Sequence, residues 1–189
     1  MKKLIFLALI VMAFAACQKT KLKPGPSAIG KDTIPDNASF KLQMATDSTG
    51  SEYPSTDTLN VMVHFNHTYH TNYSWYNGED GAANEDNAGW RFLALSNDGG
   101  QLVMDGVPYK PGVAIPIFTS SVGDSNHARH FILKVLNLKN IPDDIHIWCK
   151  DNYMKDSADL RKQPFRFFTH HNDTSSYGGN RFQIVTEPY

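Results

Sequence analysis

Cysteine is scarce in this chain of 189 residues, which has only Cys17 and Cys149. If Cys17 is modified, no disulfide can form within the chain, so packing must supply the stability. An excess of one charge is also missing, since 18 basic residues nearly balance 19 acidic ones. Such a balance offers no basic surface for DNA or RNA, and we expect no nucleic-acid partner.

Long apolar runs are missing after Cys17, but one precedes it. Two lysines at residues 2–3 are followed by an apolar run from Leu4 to Phe14, and two alanines come directly before Cys17. This run is shorter than the about 20 residues that a membrane-spanning helix needs. The pattern predicts that residues 1–16 are a lipoprotein signal peptide and that Cys17 is lipidated. The alternative is an ordinary signal peptide in which Cys17 has no role.

Lipid would then be the contact with the membrane, because two or more acyl chains, such as palmitate, anchor a protein stably. Residues 17–36 contain prolines, glycines and lysines without an apolar period, which is typical of a flexible tether. The remaining length suits one domain. We therefore expect a lipidated tether over residues 17–36 and a single folded domain over residues 37–189.

Short alternating segments, separated by turn residues, recur from Phe40 onward. Between Leu59 and Phe65 apolar and polar residues alternate strictly, which suits a strand and not a helix. The Asn-Asp-Gly-Gly segment at residues 97–100 predicts a tight hairpin, and Pro116 predicts an edge strand or a bulge.

These patterns predict an all-β fold, namely an antiparallel β-sandwich that is immunoglobulin-like or jelly-roll-like. We expect at most one short helix. The candidate stretches are Met154–Lys162, for a turn or two, and part of residues 130–138.

Five segments, taken in order, resemble a β-sandwich module found in many secreted and surface proteins of Bacteroidetes, often next to the sorting domain of their secretion system. The segments are DTLNVMVHFN (57–66), SNDGGQLVMDGVPY (96–109), IHIWCKDNYMKDSADL (145–160), FRFF (165–168) and NRFQIV (180–185). His64 and Cys149 depart from the module's usual Arg and Leu. The resemblance implies a spacer or adhesive domain rather than an enzyme.

The same resemblance implies the bacterial outer membrane as the location. In Bacteroidetes, surface export of lipoproteins depends on an acidic stretch just after the lipidated cysteine. Here the segment after Cys17 is QKTKLK, which is basic. We therefore expect the body to face the periplasm rather than the cell surface.

Residues 69–90 carry the clearest candidates for a binding site. Aromatic rings beside acids and amides hold sugars in β-sandwich lectins, which predicts a glycan platform made of Tyr69, Tyr73, Trp75, Tyr76 and Trp90. The alternative is an aromatic plug that covers an open end of the sandwich.

Acidic residues in the same segment offer the oxygen ligands that calcium prefers. They are Glu79, Asp80, Glu85 and Asp86, and their spacing does not match an EF-hand. Calcium is thus the one candidate cofactor, and a solvated acidic loop is the alternative.

Four residues near strand ends are expected to be structural: Asp151, Asn152, Arg166 and Arg181. The resemblance suggests that Asp151 pairs with Arg181. Cys149 alternates with Ile145 and Ile147, which predicts a buried thiol.

No serine or cysteine nucleophile stands beside a base in a recognisable motif, so we expect no catalytic residues. The group Ser120, Ser121, Asp124 and His127 is expected to form a turn. A metal-dependent hydrolase that uses some of the eight histidines is the remaining enzymatic alternative.

The sequence thus favours a non-enzymatic lipoprotein whose sandwich is a structural or protein-interaction module of the cell envelope, for example in adhesion. The alternative is a carbohydrate-binding lipoprotein of a glycan-uptake system. Its ligand would contact the loop at residues 69–90.

Overall fold

The computed structural model describes residues 34–47, 58–74, 79–83, 91–120 and 128–189. The predicted signal peptide, Cys17 and all but the last three residues of the predicted tether lie outside these ranges. The described strands are β1 (Ala38–Thr46), β2 (Thr58–Phe65), β3 (Gly81–Ala82), β4 (Phe92–Leu95), β5 (Gln101–Val107), β6 (Ala114–Thr119), β7 (Arg129–Lys139), β8 (Ile145–Asp151), β9 (Asp156–Asp159), β10 (Phe165–Thr169) and β11 (Gly178–Pro188). One 3-10 helix, Thr174–Ser176, accompanies them. The prediction of an all-β fold is confirmed.

Alternation of side chains explains these strands. In β2, Val61, Val63 and Phe65 are buried, while the residues between them are partly exposed. In β8, Ile145, Ile147 and Cys149 are buried in the same way. Each strand thus presents one apolar face to the core and a more polar face to the outside.

The predicted helical stretches are strands. Asp156–Asp159 pairs with β8 as β9, and residues 130–138 belong to β7, which pairs with β1 and β10. Pairing with neighbouring strands outweighs the weak local preference for helix at both places. The prediction of a helical turn within Met154–Lys162 is therefore wrong.

All eleven described strands belong to one sheet. Its order is β10-β7-β1-β2-β5-β4-β6-β11-β8-β9, and β3 adds to β5. All pairings are antiparallel except that of β2 with β5. The sheet curls into a nearly closed, barrel-like shape, so the two layers of the predicted sandwich are not distinct.

Contacts between β10 and β11 help to close the sheet. The Phe167 ring of β10 lies 4.7 Å from the Phe182 ring of β11, measured between centroids. Arg181 of β11 donates a hydrogen bond to the Phe168 carbonyl of β10. Because these strands are far apart in the strand order, their contact brings distant parts of the sheet together over the core.

Two sequence predictions concern turn-forming residues, the glycines at residues 99–100 and Pro116. The hairpin between β4 and β5 turns at residues 97–100, where Gly99 has a φ of +87° and its N–H donates to the Ser96 carbonyl. The prediction of an edge strand or a bulge at Pro116 is wrong, because β6 lies between β4 and β11 and pairs with β11 in regular register at Pro116. The pairing with β4 covers only Ile117 to Thr119, so Pro116 has a partner strand on one side only.

Packing begins before the first strand. Ile34 is buried in the core, and the Asp36 carboxylate accepts hydrogen bonds from the backbone and ring of His67 at 2.8 and 2.5 Å. The last residues of the predicted tether therefore contact the folded body. No described segment is a helix long and apolar enough to cross a membrane.

Candidate functional site

The predicted ligand loop is described in part. Tyr69, Tyr73, Glu79 and Asp80 lie in described ranges, whereas Trp75, Tyr76, Glu85, Asp86 and Trp90 lie outside them. We call the described residues 66–74 and 79–83 the strap, because they cover β2 and β5 on the way from β2 to β3.

Asp80 fastens the strap to the sheet. One of its carboxylate oxygens accepts a hydrogen bond from the Gly106 N–H of β5 at 2.9 Å. The other accepts from the Ser74 N–H at 2.7 Å, and the Asp80 N–H donates to the Ser74 carbonyl at 3.0 Å. The Asp80 carboxylate thus accepts hydrogen bonds from backbone N–H groups of both the strap and β5. Buried N–H groups need such partners.

Glu79 makes the second attachment. Its carboxylate accepts hydrogen bonds from the backbone N–H of His70 and, at 3.2 Å, from the His70 ring. Its backbone carbonyl accepts from the Nε2 atom of His64 at 2.5 Å. A Cβ on Gly106 would lie 2.5 Å from this carbonyl, so the close approach of the strap needs glycine there.

Asp105 directly precedes Gly106 on β5 and was not among the predicted site residues. The parallel pairing sets Asp105 opposite Val63 and Val107 opposite Phe65, so Asp105 lies on the side of β5 that carries core residues. Burial, together with the charges of Asp80 and Glu79, raises the pKa of Asp105 to about 7. Among the described residues, none donates a hydrogen bond to its carboxyl group.

The two described aromatic residues of the predicted platform, Tyr69 and Tyr73, have different surroundings. The Tyr69 ring packs against the His64 ring of β2, with centroids 5.0 Å apart. Tyr73 is 40% exposed, and its N–H donates to the Asp98 carboxylate at 3.0 Å on the β4–β5 hairpin. Tyr69 therefore covers the sheet, whereas Tyr73 presents a face to solvent.

The predicted calcium ligands that are described already serve the backbone. Within the described residues, no group of three or more histidine, cysteine, aspartate or glutamate side chains is placed to hold a metal ion. Glu79 and Asp80 direct their oxygens at N–H groups of the strap and of β5. Calcium binding remains a prediction that rests on Glu85 and Asp86 as well.

The expected pair of Asp151 and Arg181 is present and fully buried. Arg181 donates from Nε and Nη2 to the two Asp151 oxygens at 2.8 to 3.2 Å. Its Nη1 atom donates to the carbonyls of Phe168 and Ser176. Four aromatic rings lie 4.4 to 5.9 Å from the guanidinium carbon: Tyr153, Phe167, Phe168 and Phe182. This arrangement joins β8, β10 and β11.

The other two expected structural residues make simpler contacts. Asn152 donates from its side chain to the Asn180 carbonyl at 2.9 Å, and its N–H donates to the Arg181 carbonyl. Arg166 forms an ion pair with Asp47, and its side chain is 57% exposed. Both residues thus connect loops or strands at the surface of the domain.

A histidine–aspartate pair escaped the sequence analysis. His146 of β8 donates from Nδ1 to Asp159 of β9 at 2.7 Å, and the Tyr189 ring lies against the imidazole at an angle of 42°. Burial opposes ionisation of Asp159, but hydrogen bonds from His146 and from the Arg161 and Ile147 N–H groups hold its pKa below the usual range. No sequence spacing points to this pair, because it depends on how β8 and β9 align.

Two of the remaining nucleophile candidates, Cys149 and Ser120, lie in the described part of the chain. The prediction of a buried Cys149 is confirmed, and burial raises the pKa of its thiol well above the usual range. Ser120 accepts a hydrogen bond from the Arg91 N–H at 2.6 Å. Ser121, Asp124 and His127 lie outside the described residues.

No family model, curated protein or solved structure matches this chain. The resemblance to the β-sandwich module of Bacteroidetes therefore stays a prediction. Arguments about function must come from the chemistry of the described residues.

Proposed function

We propose that this protein is a lipoprotein of the bacterial outer membrane whose body is a non-enzymatic structural or protein-interaction module. The observation that carries the proposal is the use of three buried aspartates as hydrogen-bond acceptors of the scaffold. Asp80, Asp151 and Asp159 each hold backbone or side-chain donors of the scaffold. A general acid or base must instead reach a substrate.

The shape of the body supports the same proposal. A continuous, nearly closed sheet with an aromatic and ion-pair junction between β10 and β11 is suited to a rigid spacer or adhesive domain. We retain the immunoglobulin-like or jelly-roll-like sandwich as the finer description of this body. A spacer of that kind does not need a deep ligand pocket.

The anchor is part of the proposal. Cys17 would carry the acyl chains, and the chain from Cys17 to Ile34, where packing begins, would span at most about 60 Å when extended. The body would thus sit near the membrane without being embedded in it. We propose that it faces the periplasm.

Metabolic labelling with an alkyne palmitate analogue tests the anchor. The full chain should take up label and fractionate with the outer membrane, whereas Cys17→Ala should lose the label and become soluble. Cys149→Ala is the matched control and should keep the label, because its thiol is buried. Label that persists in Cys17→Ala would contradict the lipid anchor.

Protease treatment of intact cells tests the orientation. A body that faces the periplasm should resist added protease until the outer membrane is permeabilised. Cleavage on intact cells would place the body at the cell surface. Cross-linking of the lipidated protein in the envelope should then identify the protein that it contacts.

Glycan binding is the second candidate function, and the exposure of Tyr73 favours it. Solvent-facing aromatic rings are the usual stacking surface for sugars. Calorimetric titration with envelope and dietary glycans should then show binding that Tyr73→Ala and Trp75→Ala abolish. Tyr177→Ala, which changes a tyrosine beside the 3-10 helix, is the control. Full affinity in both test variants would dispose of this candidate.

A further inference from the structure

Charge is distributed unevenly over the sheet, although the chain as a whole is nearly neutral. The four neighbouring strands β10, β7, β1 and β2 contain no aspartate or glutamate, and their cationic residues are Lys41, Arg129, Lys134, Lys139 and Arg166. In the other described strands the cations are Lys150 and Arg181, and the acids are Asp105, Asp151, Asp156, Asp159 and Glu187. One half of the sheet is thus basic and the other is mainly acidic.

Strand pairing sets the cations of the basic half side by side on the outside. Lys41 and Lys134 occupy positions that alternate with buried core residues, so both side chains point away from the core. They are diagonal neighbours, because Lys41 lies opposite Leu136, and the Cβ atoms of such neighbours are about 7 to 8 Å apart. Arg166 is likewise diagonal to Lys134, because it lies opposite Ile132. Three cations therefore follow one line across β10, β7 and β1.

We call this outer surface of β10, β7 and β1 the basic face. Its residues are Ser39, Lys41, Gln43, Ile132, Lys134, Leu136, Lys139 and Arg166. Lys134 and Lys139 are exposed and Lys41 is partly exposed, and no described acidic residue pairs with these three lysines. The acid at the margin of the face is Asp47, which is bound to Arg166. The positive charge of the lysines is thus available to a partner.

We propose that the basic face docks on the anionic headgroups of the membrane that holds the lipid anchor. The inference rests on the anchor proposed above, which places a bilayer within reach. Lysines close to an anionic bilayer are attracted to it, and their aliphatic stems can lie along apolar surface while the ammonium groups reach the phosphates. Ile132 and Leu136 are partly exposed between the cations, and such a mixture of apolar and cationic side chains suits a membrane interface.

The tether joins the body at one end of the basic face. The chain enters β1 at Ala38, and the side chain of Asn140, which directly follows Lys139, donates to the Asn37 carbonyl at 3.4 Å. The chain from Cys17 to Ile34 spans at most about 60 Å, so the bilayer that holds Cys17 stays close to this end of the body. An anionic bilayer is for this reason favoured over an acidic protein as the occupant of the face.

Co-sedimentation with lipid vesicles tests the docking in the mature chain, with Cys17→Ser so that no acyl chain contributes. Phosphatidylcholine vesicles that contain about one-third phosphatidylglycerol should bind the protein at about 50 mM salt, whereas pure phosphatidylcholine should not. The affinity should fall at least about tenfold at about 500 mM salt, because salt screens the attraction. Equal binding to both kinds of vesicle, or binding to neither, would overturn the proposal.

Two charge reversals separate the basic face from the net charge of the protein. Lys134→Glu should weaken binding to the anionic vesicles at least about fivefold, which is the factor that one lysine near such a surface contributes. Lys110→Glu is the matched control, since it reverses an exposed lysine on the loop between β5 and β6, and its affinity should stay within about twofold of the parent. Equal losses in the two variants would overturn the proposal.

A fluorescent reporter identifies the side of the body that meets the bilayer, and it does so even if Lys134→Glu does not fold. In the Cys17→Ser chain the remaining thiol, Cys149, is buried, so Gln43→Cys can be labelled with an environment-sensitive dye. Gln43 lies opposite Lys134 on the basic face, and its dye should shift to the blue when anionic vesicles are added. The same dye at Lys110→Cys should not shift. A shift at residue 110 as large as that at residue 43, or none at residue 43, would overturn the proposal.

The lipid anchor and the basic face fail separately in these experiments. Missing palmitate label on the full chain contradicts the anchor, whereas missing vesicle binding of the Cys17→Ser chain contradicts the docking. Vesicle binding that depends on Lys134 supports the basic face whether or not Cys17 is acylated. A labelled full chain whose Cys17→Ser form binds no vesicles would overturn the docking and leave an acidic protein as the candidate occupant.

Discussion

Asp151 and Asp105 are both buried aspartates, yet their surroundings differ completely. Asp151 accepts three hydrogen bonds from Arg181 and two from the N–H groups of Tyr153 and Met154. Asp105 accepts none from the described residues, and two further carboxylates lie near it. Burial costs a charge its hydration in both cases, so the partners decide whether the group stays ionised. Charge stabilises the region around Asp151, whereas a charge on Asp105 would destabilise the region around Asp105.

Removal of Arg181 should give the largest effect. Arg181→Met leaves the Asp151 carboxylate buried without its partner, and the loss in free energy of unfolding should be about 3 to 5 kcal/mol. Urea unfolding followed by fluorescence measures it. The double variant Arg181→Met/Asp151→Leu removes both charges and should recover much of the loss.

The surface ion pair of Lys150 and Glu187, whose side chains are 42% and 39% exposed, provides the control for that experiment. Arg166→Ala gives an intermediate case, because Asp47 is only 10% exposed. Lys150→Ala breaks an exposed pair and should cost at most about 1 kcal/mol. Arg166→Ala should cost less than Arg181→Met, because the Arg166 side chain is largely hydrated. A cost for Arg166→Ala as large as that for Arg181→Met would refute the assignment of Arg181 as the main junction.

Asp105→Asn should raise the free energy of unfolding, whereas Arg181→Met lowers it. The gain should appear only at higher pH. The folded state holds a proton on Asp105 up to about pH 7, whereas the unfolded chain loses it near pH 4. This contribution to stability is therefore fully present below pH 4 and is lost as the pH rises through 7.

Asn cannot lose a proton, so Asp105→Asn should be more stable than the parent at pH 8, by up to about 4 kcal/mol, and about equal to it at pH 4. Thermal unfolding across this pH range measures the difference. A gain in melting temperature that is the same at every pH would contradict the buried charge as its cause.

Gly106→Ala tests the close contact between the strap and β5. The new methyl group would meet the Glu79 carbonyl and His64 at less than 3 Å, so the strap must shift, at a cost of about 1 to 3 kcal/mol. Gly81→Ala is the milder comparison, since its methyl group would meet the Met104 side chain at 3.2 Å. Equal costs for the two variants would argue against a tightly seated strap.

The sequence predicts the strands well because burial on one face leaves a period of two, as in β2 and β8. It predicts poorly what depends on pairing between distant segments. The stretch Met154–Lys162 carries no strong period, and only its alignment with β8 makes part of it a strand. The curl of the sheet into a barrel-like shape likewise depends on strand order and on closing contacts, neither of which local alternation records.

The candidate sites show the same limit. The sequence offered Glu79 and Asp80 as loop acids, and it offered Arg181 as a structural residue. Asp105 looked like an ordinary polar residue in a strand, because its burial depends on the pairing of β5 with β2, which sets it on the core side of the sheet. A single carboxyl group in an apolar strand is the one signal that could have drawn attention to it.

The Cys149 thiol is the subtlest test of the contrast between the two regions. It lies on β8 near Asp151, where burial and that carboxylate raise its pKa, and Arg181 opposes the rise in part. With Cys17 lipidated or replaced, Cys149 is the only thiol, so Ellman's reagent should find almost none in the folded protein and one per chain in denaturant. Because Cys149 lies beside the junction and far from the strap along the sheet, its slow reaction should not quicken between pH 5.5 and 8.5 beyond the rise expected from thiol ionisation. A sharp increase near pH 7 would mean that ionisation of Asp105 loosens the whole sheet, and the two regions would then not be independent.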